Sequence, residues 1–161
     1  MRKSLFLAAA TIASSMVMSE AAYSHGPKGD AYSGHAHDMG EPGDSKARAR
    51  TIEITMTDEM RFKPGIIMLS RGDVVRFVVK NTGALKHEFV LGTEEELTKH
   101  AAEMEKFPDM EHDDPNAVSV EPGQTATFVW KFTKAGTWEI GFACLLPGHF
   151  TAGMKGKLVV R

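Results

Sequence analysis

From residue 50 onward, apolar and polar positions mostly alternate, with the period of strands whose two faces meet different surroundings. Ile52, Ile54 and Met56 are separated by Glu53 and Thr55, which predicts a half-buried strand. Pro64-Gly65 marks a turn ahead of Ile66 to Leu69, and Ser70-Arg71-Gly72-Asp73 marks a second. Val74 to Lys80 is β-branched and aromatic and is closed by Asn81-Thr82-Gly83. His87 to Leu91 is a further short strand, with His87, Phe89 and Leu91 on one face. Ala117 to Val120, Thr125 to Thr133, Thr137 to Cys144 and Met154 to Val160 complete the series.

One segment departs from this period. Thr93 can cap a helix, Glu94 to Glu96 suit its first turn, and Pro108 stops the run after Phe107. About eight short strands with one inserted helix predict an all-β fold, a Greek-key β-sandwich. A βαβ architecture would need repeated helices.

The N-terminal third reads differently. Met1-Arg2-Lys3 is basic, Leu5 to Met18 is uncharged, and small residues follow at Ser19, Ala21 and Ala22. This is the pattern of a secretory signal peptide over residues 1–21, with cleavage as late as residue 24. The apolar run is too short to span a bilayer, which takes about 20 residues. Residues 22–49 are rich in Gly, Ser, Ala, Pro and charge without periodicity, and predict a flexible, disordered arm ahead of a domain over 50–161. The expectation is an exported, periplasmic protein, free of the membrane after signal removal and monomeric.

Charge excludes one class of partner. A formal net charge of -2 supplies no basic face for nucleic acid. The stretch from Glu94 to Asp114 holds nine acidic residues against two lysines, a pattern that also fits a solvated face.

The chemistry concentrates at the C-terminus. The chain has one cysteine, Cys144, in Cys-Leu-Leu-Pro-Gly-His-Phe-Thr-Ala-Gly-Met over residues 144–154. Strand alternation puts Cys144 on the apolar face of Trp138, Ile140 and Phe142, at a strand end. Pro147-Gly148 bends the following loop towards His149, and Gly153 permits another turn before Met154. A thiolate with two imidazoles and a weak axial thioether is the donor set of a type 1 copper electron-transfer site. The second imidazole must come from elsewhere. His87, after the Asn81-Thr82-Gly83 turn, is the better candidate, and His100 on the acidic helix the poorer.

Other readings fit these donors less well. Structural zinc takes several cysteines or a denser histidine set. A nucleophilic cysteine wants an electropositive, accessible position. Cys144 as a small core residue and Met154 as a gap filler would leave their joint spacing with His149 a coincidence.

Asn81 through His87, followed by Cys144-x4-His149-x4-Met154, resembles the cupredoxins, the azurin and plastocyanin group of β-sandwich copper proteins. The resemblance covers roughly residues 50–161, and the loop has the azurin spacing. It implies copper held by His87, Cys144, His149 and, axially, Met154. Two positions depart from the pattern: Lys86 stands where azurin has glycine, and Glu88 where many cupredoxins have asparagine.

The arm, the export signal and the acidic helix are similar to the CopI-type periplasmic cupredoxins linked to bacterial copper tolerance. Surplus donors agree with that resemblance. His25, His35, His37 and Met39 lie in the arm, His100 and Met104 are i and i+4 on the helix, and Met110 and His112 follow. Imidazole suits cupric and thioether suits cuprous copper, so these are candidate ligands for additional copper ions. Two functions follow. The first is copper tolerance by copper binding and oxidation of Cu(I). The second is a single-copper electron carrier docking a redox partner protein at an apolar patch of Leu145, Leu146, Pro147 and Phe150 around His149.

Overall fold

A computed structural model describes residues 39–108, 114–134 and 136–161. They form two five-stranded sheets face to face, with one helix on the outside of the second. In the first sheet the spatial order is β1 (Glu41–Pro42), β8 (Thr125–Lys131), β5 (Val74–Asn81), β2 (Arg50–Thr57) and β3 (Arg61–Lys63). In the second it is β4 (Ile66–Leu69), β10 (Lys155–Val160), β9 (Trp138–Ala143), β6 (His87–Gly92) and β7 (Ala117–Val120). The pairs β2–β5 and β4–β10 are parallel, and all other pairs are antiparallel. The expected β-sandwich with one inserted helix is the fold observed.

Alternation does the work the sequence implies. In β2 the side chains of Ile52, Ile54 and Met56 are buried while Glu53 is exposed. The interior is aromatic: Phe89 lies 5.1 Å from Phe142 and 5.4 Å from Phe77, and Phe62 meets Phe142 edge to face at 5.2 Å. Burial of side chains this large contributes about 1.5–3 kcal/mol each.

Helix α1 (Glu94–Met104) starts where the sequence places it. The Glu96 amide donates to Thr93 Oγ1 at 3.2 Å and the Thr93 amide to Glu96 Oε2 at 2.8 Å, a reciprocal cap. It ends three residues before the expected Phe107, with Glu105 as its C-cap. Its face of Leu97, Ala101 and Met104 packs with Val90, Ala143 and Leu145 in a second apolar cluster. Gly141 makes this approach possible, since a Cβ there would stand 2.6 Å from a Leu97 methyl.

The boundary at residue 50 needs correction. Met39 is buried in the main core, and β1 pairs with β8, Glu41 opposite Lys131 and Pro42 opposite Trp130. Residues 39–49 are thus part of the sandwich rather than of a free arm. Gly40, at φ +135°, makes the entry: a Cβ there would lie 2.8 Å from the Trp130 indole nitrogen. Met39, expected among the arm's copper donors, is a core side chain instead. The signal peptide and the arm histidines His25, His35 and His37 lie outside the described residues, as do Met110 and His112.

Candidate metal centre

The site forms where β6 begins, β9 ends and the loop from β9 to β10 folds over them. His87 opens β6 and is fully buried, facing the core as its alternation with Phe89 requires. Cys144 follows β9 and is also fully buried. The loop closes on itself. The amide of Cys144 donates to the Met154 carbonyl at 3.1 Å, that of Met154 to the His149 carbonyl at 3.0 Å, and that of His149 to the Leu146 carbonyl at 3.0 Å. Gly148 and Gly153, at φ +80° and +93°, turn the chain where side chains would be strained.

This folding brings three donors together. Nδ1 of His87 and Nδ1 of His149 are 3.2 Å apart, and Cys144 Sγ is 3.2 Å from His149 Nδ1. The donor atoms of His87, Cys144 and His149 all lie within 4.8 Å of one another. Among the described residues this is the one such group of histidine, cysteine and carboxylate side chains.

The electrostatics suit a bound cation. Burial pushes the Cys144 thiol up to about 12, against which the amides of Glu88 and Leu146 pull down. The Glu88 amide reaches Sγ at 3.3 Å. Without a metal the sulfur keeps its proton at neutral pH, and a cation that replaces the proton gains a thiolate already served by N–H donors. Burial also holds His149 below the usual imidazole range, and the neighbouring His87 adds to this while Asp58 opposes it. One thiolate and two imidazoles, with Cys144 and His87 fully buried, fit copper. Met154 is fully buried in the same core cluster as Cys144.

Several supporting roles were not found by reading the sequence. Asn81 is fully buried; its amide donates to the carbonyls of Leu85 at 2.7 Å and Val120 at 2.9 Å, and its Oδ1 accepts the Gly83 amide at 2.9 Å. It braces the turn leading to His87. Asp58, on the β2–β3 turn, lies 3.1 Å from His87 Nε2 and accepts the Ala84 amide at 2.7 Å. That amide chiefly, together with the Leu85 amide and His87, holds the Asp58 carboxyl below its usual range, while desolvation opposes. Arg61 donates to the carbonyls of Met60 at 2.7 Å and Ala152 at 3.1 Å, joining the β2–β3 turn to the ligand loop. Glu105, at the end of α1, accepts the Gly148 amide at 2.7 Å. The one visible signal was a polar residue at each strand or helix end, which is common in turns.

The two departures at positions 86 and 88 have local roles. Lys86 pairs with Glu121 at 3.2 Å on the surface. The Glu88 carboxylate accepts the Ser119 hydroxyl at 3.0 Å, tying β6 to β7, while its backbone serves the sulfur.

Of the additional donors, the described His100 and Met104 do not join this group. His100 is buried and borders a cavity of about 30 Å³ with Glu88, Asp114 and Ser119. Met104 is packed in the apolar cluster under α1. Leu145, expected in a surface patch, is buried in that cluster too, whereas Pro147 is exposed and Leu146 and Phe150 are half-buried.

Sandwich and donor group together define a cupredoxin with a type 1 copper centre, and residues 49–161 match the plastocyanin/azurin family of copper binding proteins. The chain belongs to that family. Within it, the chain is 49% identical over 166 residues to the copper-resistant cuproprotein CopI of Rubrivivax gelatinosus, covering 100% of this chain and 97% of the relative. It is 37% identical to the protein of the same name from Pseudomonas aeruginosa, covering 84% of this chain and 90% of that one. Among solved structures, the reduced auracyanin of Roseiflexus castenholzii shares the fold with a TM-score of 0.58 at 23% identity, over 71% of this chain and 99% of that one.

Proposed function

We propose that the protein works in copper tolerance outside the cytoplasm, binding copper and oxidising cuprous ion. The observation that carries this reading is the buried His87–Cys144–His149 group in a chain aligned over its full length with a copper-resistant cuproprotein. Residues 1–21 act as the export signal. No helix among the described residues is long and apolar enough to cross a membrane. Met154 would join His87, Cys144 and His149 in holding the copper, its buried thioether tuning the potential more than it anchors the metal.

Copper in this site supplies a one-electron acceptor. The protein's part is to hold the donors in fixed positions and exclude water, so that little rearranges when the charge changes. Cuprous ion would be the substrate, giving up one electron to become cupric ion, with dioxygen or a partner protein as the external acceptor of that electron. His25, His35 and His37 in the arm, and His100 with Met110 and His112, are the donors that capture further copper.

Two measurements test this. Cells lacking the protein regain growth in copper with the wild type and not with Cys144→Ser; equal rescue by both overturns the tolerance role of the centre. Anaerobic Cu(I) added to the cupric protein bleaches its colour, and air or an electron acceptor restores it. Bleaching without recovery makes the protein a stoichiometric trap rather than an oxidase.

A second reading, a single-copper electron carrier, is favoured by one feature. Around the ligand loop, Pro147 is exposed beside half-buried Leu146 and Phe150, and Leu85 is 47% exposed in the turn before His87. Apolar surface at a redox site is where a partner docks.

A further inference from the structure

We propose that Asp58 is a positioning residue of the copper centre, its carboxylate accepting the Nε2–H hydrogen bond of His87 and placing a negative charge beside that ligand. The inference rests on the copper centre itself and not on the tolerance or oxidation reading.

The geometry carries it. His87 Nδ1 faces His149 and the thiol, so for metal binding that nitrogen must carry the lone pair and the proton must sit on Nε2. The atom 3.1 Å from Nε2 is Asp58 Oδ1. A ring with no solvent exposure has few other ways to satisfy that N–H, and an unmet buried donor costs about 1–3 kcal/mol.

The carboxylate is itself held. Oδ2 accepts the Ala84 amide at 2.7 Å, and Oδ1 also accepts the Leu85 amide at 3.3 Å. Gly83 leaves it room, because a Cβ at that position would collide with Oδ1 and the carboxyl carbon and crowd Oδ2. Met60, in the left-handed region at φ 57°, and the bond from its amide to the Thr57 carbonyl at 3.0 Å set the turn that presents Asp58. A carboxylate pinned by two amides and aimed at the remote nitrogen of a metal-binding imidazole fixes its tautomer and raises its basicity. Added negative charge stabilises the cupric state more than the cuprous, so Asp58 holds the potential down.

The test uses the full chain. Asp58→Asn keeps the size and one acceptor and removes the charge. The expected result is a fall in cupric affinity of about tenfold or more. Cuprous affinity changes less, and the midpoint potential rises by about 59 mV for each tenfold of difference between the two. A potential and visible band equal to the wild type in a copper-loaded, folded variant overturn the proposal. Should the variant fail to fold, nitrogen NMR of the cuprous wild-type protein decides. A His87 Nε2–H protected from exchange and shifted downfield by a charged acceptor supports the role. A His87 ring protonated on Nδ1, or an Nε2–H in free exchange, overturns it.

Discussion

Cys144 shows how a single side chain is set for metal rather than for chemistry of its own. Its burial makes the free thiolate costly and an exposed nucleophile's role impossible, while two backbone amides wait for the negative charge. Copper-loaded protein is therefore expected to show the intense visible band of thiolate-to-copper charge transfer, and Cys144→Ser to lose it. A band that survives this substitution refutes the ligand assignment. Met154→Leu should keep copper bound and shift the potential, measured by redox titration. The metal-free protein carries a further signature. An unfolded thiol ionises near 9.0 and the folded one near 12, so between these pH values the folded state binds more protons. Stability is intact below pH 9 and falls as pH rises above it, by up to about 1.4 kcal/mol per pH unit. Denaturant melts at pH 8 and pH 10.5 should show that loss in the wild type and not in Cys144→Ser. The thiol and both imidazoles were legible because donor chemistry and strand alternation each single them out. Asp58 was not, since it stands 29 residues before His87 and only the pairing of turns brings them together.

At the scale of elements, the copper loop is steadied from two sides by parts of the chain distant in sequence. Arg61 reaches it from the β2–β3 turn, and Glu105 reaches it from the end of α1. The acidic helix is thus more than a solvated face, since its last carboxylate holds the amide next to His149. The contact is exposed, so its worth is modest. Glu105→Ala should cost about 1 kcal/mol and speed hydrogen exchange at the Gly148 amide, whereas Glu105→Gln, which keeps an acceptor, should retain most of the protection. Equal exchange in all three proteins would show that the bond does not hold the loop. The longer strands and the capped start of α1 were readable because alternation and the Thr93–Glu96 pair are local signals. β1 and β3, two and three residues long, carry no period to detect and exist because a neighbouring strand offers its edge.

At the scale of the molecule, the sheet order was beyond a reading of local pattern, because the parallel pairs β2–β5 and β4–β10 depend on crossovers. That order decides where the arm is rooted. β8 starts at Thr125, opposite Lys80 near the turn that leads to His87, and ends at Lys131, which pairs with both Val74 and Glu41. Met39 and β1 therefore join the sandwich at the end remote from the thiolate, about 20 Å away along the strand. Copper captured by His25, His35 and His37 would be held on a segment tethered there, adding to the copper count without entering the type 1 centre. Elemental analysis of the full-length protein should give more than one copper per chain, and the triple replacement of those histidines by alanine should lower the number. The visible band and potential should stay as they were, because the tether and the centre lie at opposite ends of the fold. A count of one copper in both proteins would remove the arm from copper handling and leave the electron carrier as the better account of the chain. A lowered count with an altered band would show instead that the arm reaches back to the centre.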